Sequence, residues 1–367
     1  MKDLLYKVAL TKIPLVGAVT AKNLVSYCGG AREVFTARKK ELLRIPGIGR
    51  QTASNIINQT VLAEAELEVE YLEKENITPL FYLDNDYPQR LKHYADAPVL
   101  LFYKGSANLN YQRTIGIVGT RKPTPQGISI CEKLVAELAP YAPVIISGLA
   151  YGIDISAHQT SLEQGLETIA VLGHGLKRIY PAQHKKTAFQ MIEQGGLLTE
   201  FASDVEPERE NFPMRNRIVA GLCDAVVVVE TAKRGGSIIT AQLANGYNKD
   251  VFAFPGRVKD KNSQGCHYLI KSNLAQLTEG IGDIVPVLGW DKKEGTEKDR
   301  TKQQALFYAL TAQEKSVVDT IQSEEEIGID QLSFKINIRH SELASLLLNL
   351  EFQGIVRSLP GKRYVLT

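Results

Sequence analysis

Two short segments place arginine beside glycine or other small residues, and this combination is suited to binding phosphate. The first is Gly119-Thr120-Arg121, and the second is Arg215-Asn216-Arg217, which follows about ninety residues later. Backbone N–H groups and guanidinium forks that converge on one point bind phosphate oxygens. Both segments therefore predict a binding site for a polyanion.

A cation and an aromatic ring precede the second segment. Arg209 and Phe212 supply phosphate contact and base stacking, the combination that holds single-stranded nucleic acid. Because residues two apart on a helix point to different sides, we expect one arginine of Arg215-Asn216-Arg217 to contact the ligand while the other, or Asn216, braces the loops. The alternative is an internal ion pair with Glu200 or Glu230, and the two roles can coexist.

Two glycine-containing segments extend this set. Gly235-Gly236-Ser237 would present N–H groups to a phosphate at the start of a helix, although a plain tight turn is the alternative. Ser147-Gly148 is followed by Gly152, which does not match the G-x-G-x-x-G spacing of a nicotinamide site. We therefore favour phosphate contact over dinucleotide binding.

Catalytic and metal-binding patterns are weak. Asp154 and His158 lie one helical turn apart and are interpreted as a structural pair, and His174 between two glycines is also favoured as non-catalytic. The four cysteines are far apart and form no CxxC, a pattern typical of free thiols in a reducing compartment. The sequence predicts no catalytic residue, no metal and no cofactor.

The elements that must position these residues alternate between strand and helix patterns. The predicted strands are Thr114–Val118, Pro143–Ile146, Thr168–Leu172, Leu197–Phe201, Ala225–Glu230 and Val251–Phe254. Each glycine, arginine or acidic signal follows the carboxyl end of a strand, which is where open α/β sheets bind ligands. Nearly continuous apolar runs such as 225–229 predict strands covered on both faces, hence a Rossmann-like, doubly wound, mainly parallel sheet.

The two ends of the chain predict small helical domains. Near the N-terminus, Ile45-Pro46-Gly47-Ile48-Gly49 joins two helical patterns, and Pro14-Leu15-Val16-Gly17 is a looser copy, which together indicate a paired helix-hairpin-helix, or SAM-like, module. This module either contacts phosphate or only packs. Near the C-terminus, a capping box from Thr311 to Glu314, helices at 329–334 and 341–352 and a hairpin around Pro360-Gly361 predict a winged-helix domain. We favour protein contact over duplex DNA for it, because its third helix is not basic.

The predicted domains are a helical domain at 1–76, a Rossmann-like domain at 77–290, a polar linker at 291–304 and a winged-helix domain at 305–367. A Glu-rich helix at 61–76 leads into the second domain. The 367 residues are 44% hydrophobic and 23% charged, with a net charge of +2, which is ordinary for a globular protein and too mild to indicate nucleic acid by itself. No signal peptide or membrane span is expected, and a cytoplasmic location is predicted.

Several longer motifs, in this order along the chain, closely resemble the DNA-processing protein A family (DprA, also called Smf). They run from Gly119 to Gly127, from Ser147 to His158, from Phe212 to Ile218 and from Gly235 to Thr240. The resemblance covers nearly the whole chain. Gly235 stands where Ser is common, and His267 stands where Asn is common.

This resemblance implies a Rossmann-like domain that binds single-stranded DNA without turnover. It further implies protection of incoming DNA in natural transformation, loading of the RecA recombinase in place of single-strand-binding protein, and a homodimer formed through the Rossmann-like domain. The arginine that grips phosphate in the family corresponds to Arg121, and a basic residue before the Phe-Pro motif corresponds to Arg209.

Two other functions stay open at this point. The parallel sheet and the loop from Gly235 to Thr240 also resemble phosphoribohydrolases that act on nucleoside monophosphates, although Ala241-Gln242-Leu243 replaces the acidic residues usual after that loop. A duplex-DNA regulator acting through residues 305–367 is the third hypothesis. No membrane partner is expected.

Overall fold

The structure, a computed structural model, describes residues 2–290, 311–324, 327–352, 355–359 and 363–366. The chain divides into two compact units, Met1–Lys293 and Glu294–Thr367. The boundary predicted between residues 76 and 77 falls inside the first unit and stays a prediction, and the predicted linker at 291–304 lies outside the described residues.

The first unit begins with helices and continues as alternating strands and helices. Its helices are α1 Lys2–Lys12, α2 Ala18–Cys28, α3 Ala31–Thr36, α4 Lys39–Leu42, α5 Arg50–Asn58, α6 Val61–Lys74, α7 Gln89–Lys92, α8 Pro125–Leu138, α9 Ile153–Glu163, α10 Lys185–Glu193, α11 Asn211–Leu222, α12 Gly236–Gly246, α13 Gln264–Lys271 and α14 Ile281–Leu288. Its strands are β1 Thr78–Phe81, β2 Leu100–Gly105, β3 Thr114–Val118, β4 Val144–Ser147, β5 Thr168–Val171, β6 Gly195–Thr199, β7 Ala225–Val228, β8 Asp250–Ala253 and β9 Gln276–Leu277.

The nine strands form one sheet in the order β1-β2-β6-β5-β4-β3-β7-β8-β9. The pairs β1–β2 and β2–β6 are antiparallel and all others are parallel. The chain runs outward from β3 to β6 and then returns to place β7 beside β3. The predicted mainly parallel, doubly wound sheet is confirmed, and its topological switch point lies between β3 and β7.

Alternate side chains of the strands pack into two separate apolar cores, one on each face of the sheet. Val118 and Val226 pack with α11, α12 and α13 on one face, whereas Ile117 and Val227 pack with α8, α9 and α14 on the other. Both faces are therefore covered, which is why these strands are nearly continuous in apolar residues.

The predicted strand at 197–201 begins two residues earlier, at Gly195. The sequence pattern placed it too late because glycine is depleted in strands. Gly195 has φ +146, and a Cβ there would lie 2.0 Å from the Thr168 carbonyl oxygen, so the close approach of β5 and β6 requires glycine at this position.

The N-terminal helices form the predicted paired hairpins. Gly17 caps the start of α2 and Gly49 caps the start of α5, and the preceding turns contain the left-handed residues Leu15 and Gly47. The module has its own apolar core, which continues onto Leu100 and Phe102 of β2. The helix predicted at 61–76 ends at Lys74, and Asn76 takes a left-handed conformation.

The second unit contains α15 Ala312–Glu324, β10 Ile327–Gly328, α16 Ile329–Ile336, α17 His340–Phe352, β11 Val356–Leu359 and β12 Arg363–Leu366. The strands form one sheet in the order β10-β12-β11. The capping box is confirmed, because the Thr311 amide donates to Glu314 Oε2 at 2.8 Å and the Glu314 amide donates to Thr311 Oγ1 at 3.3 Å. The turn predicted at Pro360-Gly361 lies outside the described residues.

Candidate nucleic-acid interface

The loop after β3 lies at the switch point of the sheet and carries Arg121. The Thr120 amide donates to the Glu230 carbonyl at 2.7 Å, and Thr124 donates to the Glu230 carboxylate through its amide at 2.9 Å and its hydroxyl at 2.5 Å. Glu230 is buried, and both of its carboxylate oxygens accept from Thr124 in this loop. Arg121 itself is exposed at the tip of the loop.

Close packing against the backbone of the loop after β4 also holds this loop in place. Gly152 has φ +80, and a Cβ there would lie 2.2 Å from the Thr120 carbonyl oxygen. The same carbonyl accepts from the Ile153 amide at 3.2 Å, at the start of α9. The β3 and β4 loops therefore touch through backbone atoms, and only glycine allows this approach.

Arg121 and three rings form a continuous cluster, which we call the Arg121–Phe212 cluster. The Arg121 guanidinium lies 5.2 Å from the centre of the Phe212 ring. The Tyr180 ring lies 6.3 Å from Phe212, and the His174 ring lies 6.4 Å from Tyr180. An exposed cation over an aromatic face can contact a phosphate and a base of the same strand.

Exposed cations lie on the loops and first helical turns that follow the strands at this edge. They come from the segments after β3, β5, β7 and β8, and are Arg121, Lys122, Lys177, Arg178, Lys185, Lys186, Lys233, Arg234, Arg257, Lys259 and Lys261. The net charge of +2 does not reveal them, because the 41 acidic residues of the chain nearly balance its 43 basic residues. Arg178 pairs with Glu206, and the other cations place positive charge on one edge, where it attracts a polyanion.

Arg215 lies inside the protein. It is only 4% exposed, and its guanidinium donates to the Val171 carbonyl and, at 3.1 Å, to Asn216 Oδ1. Burial lowers the pKa of Arg215 to about 10, and the charge of Asp154 opposes this shift. A Cβ at Gly148 would lie 2.1 Å from this guanidinium, so Gly148 makes room for it. Arg215 therefore links α11 to the end of β5 and packs against Gly148 in the loop after β4.

Arg217 leaves α11 on another side and pairs with Glu200 at 2.5 Å. This is the internal ion pair that the sequence left open as an alternative. Burial raises the pKa of Glu200, and the charge of Arg217 opposes that shift. Asn216 Nδ2 lies 3.5 Å from the Gly236 carbonyl and links α11 to the start of α12.

The predicted serines also point inward. Ser147 is fully buried and its hydroxyl donates to the Ile117 carbonyl at 2.6 Å. Ser237 is 6% exposed, and its buried hydroxyl has no hydrogen-bond partner among the described residues. Gly235 caps α12, and its amide donates to the Ala232 carbonyl at 2.9 Å, so of the three predicted residues only Gly236, the exposed first residue of α12, keeps its N–H group for a ligand.

Arg209 is exposed, but Glu208 and Glu210 flank it and are exposed as well. The local charge of this segment is therefore negative. Between the two arginines that the family resemblance selects, Arg121 has the more favourable surroundings for a phosphate.

The candidate acid–base residues have structural contacts. The Asp154 carboxylate accepts from the amides of Gly148 at 3.2 Å and Ala150 at 3.4 Å, and not from His158. His158 Nδ1 lies 2.7 Å from the Thr168 hydroxyl, which itself donates to the Ile145 carbonyl. His158 must therefore donate from Nδ1, and burial lowers its pKa to about 3. Burial also lowers the pKa of His174.

The sequence reasoning missed Tyr180, which lies between His174 and Phe212 in the cluster. A signal was available, because Tyr180 is an aromatic residue before Pro181 in the segment after a predicted strand. Its distance of about thirty residues from Phe212 concealed the pairing.

Three models of known protein families match different parts of the chain. Residues 78–289 match the model of DNA recombination-mediator protein A, residues 8–60 match the SAM-like helix-hairpin-helix tandem, and residues 301–362 match the DprA winged helix domain. The predicted SAM-like and winged-helix modules are thereby confirmed as fold classes.

Relatives and solved structures agree with these matches. Protein Smf of Synechocystis is 32% identical over 98% of both chains. A crystal structure of DNA processing protein A from Streptococcus pneumoniae is 34% identical, with a TM-score of 0.65, over 78% of this chain and 98% of that chain. A structure of DNA processing protein A from Helicobacter pylori, described for its single-stranded DNA binding mode, is 30% identical, with a TM-score of 0.54, over 59% of this chain and 97% of that chain. The chain belongs to the family of DNA recombination-mediator protein A, also known as DprA or Smf.

Proposed function

We propose that this protein binds single-stranded DNA at the carboxyl edge of its parallel sheet and acts as a recombination mediator without chemical turnover. The single observation that carries this proposal is the exposed Arg121 guanidinium over the Phe212 ring, 5.2 Å from its centre, at the switch point of the sheet. The H. pylori relative, described for its single-stranded DNA binding mode, supports it.

In this proposal Arg121 contacts a phosphate while Phe212 and Tyr180 offer faces to the bases. Gly119 and Thr120 hold the Arg121 loop, and the exposed Gly236 at the start of α12 offers its N–H group as a further phosphate contact. Ser147, Gly148, Arg215, Asn216, Arg217 and Ser237 act mainly as the scaffold beneath this surface. Arg209 is a secondary contact.

The absence of turnover is also part of the proposal. The groups with the best acid–base chemistry, Asp154 and His158, are buried and used in structural hydrogen bonds. The family description as a recombination mediator is in agreement. A phosphoribohydrolase activity is the alternative, and release of free base from nucleoside monophosphates would support it.

Loading of RecA, displacement of single-strand-binding protein and a homodimer are further proposals that follow from family membership. Among the described residues, no helix is long and apolar enough to cross a membrane. The cytoplasmic location stays a prediction from the sequence.

The test is a salt-titrated comparison of single-stranded and duplex DNA. Arg121→Ala should weaken single-strand binding for every sequence and reduce the slope of log affinity against log salt by about 0.7. Lys271→Ala is the control, because it removes one charge from the last turn of α13, at the opposite edge of the sheet. Equal affinity and slope in wild type and Arg121→Ala would refute the role of Arg121.

A further inference from the structure

A cavity of about 480 Å³ lies beside the N-terminal helical module and apart from the Arg121–Phe212 cluster. We call this cavity the tyrosine pocket. Tyrosines and basic side chains line it, namely Lys22, Tyr82, Tyr87, Lys92, His93 and Tyr94. Pockets of this size hold small ligands or single units of a polymer. The proposed function does not use this pocket.

The aromatic walls of the pocket are held in place by specific contacts. Tyr94 stacks on Tyr247 with ring centres 3.9 Å apart, and the Tyr247 hydroxyl donates to Asp96 Oδ2 at 2.6 Å. Tyr87 is fully buried, and its hydroxyl donates to the Pro98 carbonyl at 2.6 Å. Tyr82 and Tyr94 are only partly buried, so they are the preorganised rings against which another ring can pack, and Tyr87 supports the pocket from inside.

Positive charge lines the mouth of the pocket. Lys22 Nζ lies 5.8 Å from the centre of the Tyr82 ring and donates to the carbonyls of Tyr94 and Ala95, each at 3.1 Å. Lys92 is exposed and donates to the Asp84 carbonyl at 3.0 Å, and His93 is exposed as well. An ammonium group has three donors, so each lysine keeps at least one for an anion.

The pocket lies on the α11 side of the sheet and extends from the carboxyl edge, where the proposed interface lies, towards the amino edge, where Tyr94 meets the last turn of α11. It is built by the segment between β1 and β2, and β2 pairs with β6 through Phe102 and Thr199, next to Glu200. Helix α11 connects the two places, because Phe212 begins it and a Cβ on Gly221 would meet the Tyr94 ring at 3.3 Å. Nine residues of helix span about 14 Å, a distance that a short stretch of extended strand can cross.

From this geometry we infer that the tyrosine pocket is a second nucleotide subsite, in which a base of the bound single strand packs among the tyrosines while Lys92 and Lys22 contact its phosphate. The inference rests on the proposed function. It also gives the helical module a direct part in binding, through Lys22 of α2. A free nucleotide has the same chemistry, so the experiment must distinguish it from a strand.

The experiment uses the full chain and thymidine strands that carry one 5-bromodeoxyuridine, moved along the strand. Ultraviolet crosslinking followed by mass spectrometry of the peptides identifies the residues beside each position. We expect one range of positions to crosslink to peptides containing Phe212 or Tyr180, and a separate range to crosslink to peptides containing Tyr82 or Tyr94.

Affinity measurements provide the second readout. Lys92→Gln should bind a strand of about six nucleotides like wild type, whereas for longer strands its salt slope should fall by about 0.7. Lys271→Gln is the matched control and should behave like wild type at both lengths.

The outcomes separate the two proposals. If wild type does not bind single strands, or binds them unchanged after Arg121→Ala, the proposed interface fails. If Arg121→Ala weakens binding but no strand position crosslinks to Tyr82 or Tyr94, and Lys92→Gln has the wild-type slope at every length, the second subsite is overturned. Crosslinking of free bromodeoxyuridine monophosphate alone would also overturn it, because the pocket would then hold a nucleotide but no strand.

Discussion

At the scale of single residues, the arginines of this protein divide into surface and internal groups. Arg121 and Arg209 are exposed, whereas Arg215 is 4% exposed and Arg217 pairs with Glu200. The sequence could predict that Arg215 and Arg217 leave the helix on different sides. It could not predict which partner each one meets, because Val171, Asp154 and Glu200 come from distant segments of the chain, in β5, in α9 and directly after β6.

Arg217→Met should destabilise the protein by about 3 kcal/mol, because it leaves the buried Glu200 carboxylate without its cation. Without that cation the pKa of Glu200 rises further above its unfolded value. Since the unfolded state then loses its proton more readily, the stability of the variant should fall as the pH rises through the folded pKa. Urea unfolding at pH 5 and pH 8 measures this difference.

The double variant Arg217→Met with Glu200→Leu is the control. It removes both charges and should recover most of the lost stability. If the double variant is stable yet binds a strand of about six nucleotides much more weakly than wild type, Arg217 contacts DNA directly and is more than scaffold.

At the scale of elements, the loops after β3 and β4 depend on backbone contact. Gly152→Ala should disturb the Arg121 loop, because φ +80 is strained for alanine and the added Cβ would lie 2.2 Å from the Thr120 carbonyl oxygen. We expect a loss of at least about 1–2 kcal/mol in stability together with weaker single-strand binding. Thermal unfolding and anisotropy titration measure the two effects.

Gly282→Ala is the matched control for this change. Gly282 lies in α14, and a Cβ there meets no atom within 4 Å. Alanine favours helix over glycine, so this variant should be as stable as wild type or slightly more stable. Wild-type stability in Gly152→Ala would contradict the proposed tight contact between the loops.

Helix α9 contains a second pH-dependent feature, the buried His158. Its pKa is lowered to about 3 in the folded protein. Below the unfolded value of about 6.5 the unfolded state binds more protons, so stability should fall as the pH drops from 6.5 towards 3. At pH 5 protonation of the unfolded state costs about 2 kcal/mol of stability relative to neutral pH, for a folded pKa of about 3.

Urea unfolding at pH 7 and pH 5 tests this prediction against His158→Gln, whose amide can still donate to Thr168. The difference in stability between the two pH values should be smaller in the variant. An equal difference in both proteins would show that His158 does not carry the acid sensitivity.

At the scale of the whole molecule, the candidate interface and the tyrosine pocket both lie in the first unit, Met1–Lys293. A chain that ends after Lys293 should therefore bind single strands with nearly the affinity and salt slope of the full chain. Anisotropy titration of both chains, with thermal unfolding to verify that the shorter one is folded, tests this. A large loss of single-strand affinity in the folded short chain would place part of the site in residues 294–367. If the full chain binds duplex DNA sequence-specifically and the short chain does not, the duplex-regulator hypothesis is supported.

The sequence by itself determined the fold class and the edge of the sheet at which binding is proposed. Apolar runs such as 225–229 indicate parallel strands, and in such a sheet the segments after the strands must meet at one edge. Capping chemistry at Thr311 and Glu314 likewise depends only on neighbours in the chain. These features are local in sequence, which is why pattern and spacing are sufficient for them.

Only the tertiary structure decided which of the predicted side chains reach the surface. Ser147 and Arg215 follow the same sequence logic as Arg121, yet both are buried, because Ser147 ends β4 and bonds to Ile117 of β3, and Arg215 leaves α11 towards Val171 of β5. The pairing of Tyr180 with Phe212 and the joining of Lys22 to Tyr82 and Tyr94 also arise only in three dimensions. Burial and contact between distant segments depend on how all the elements pack together, and no local pattern of residues contains that information.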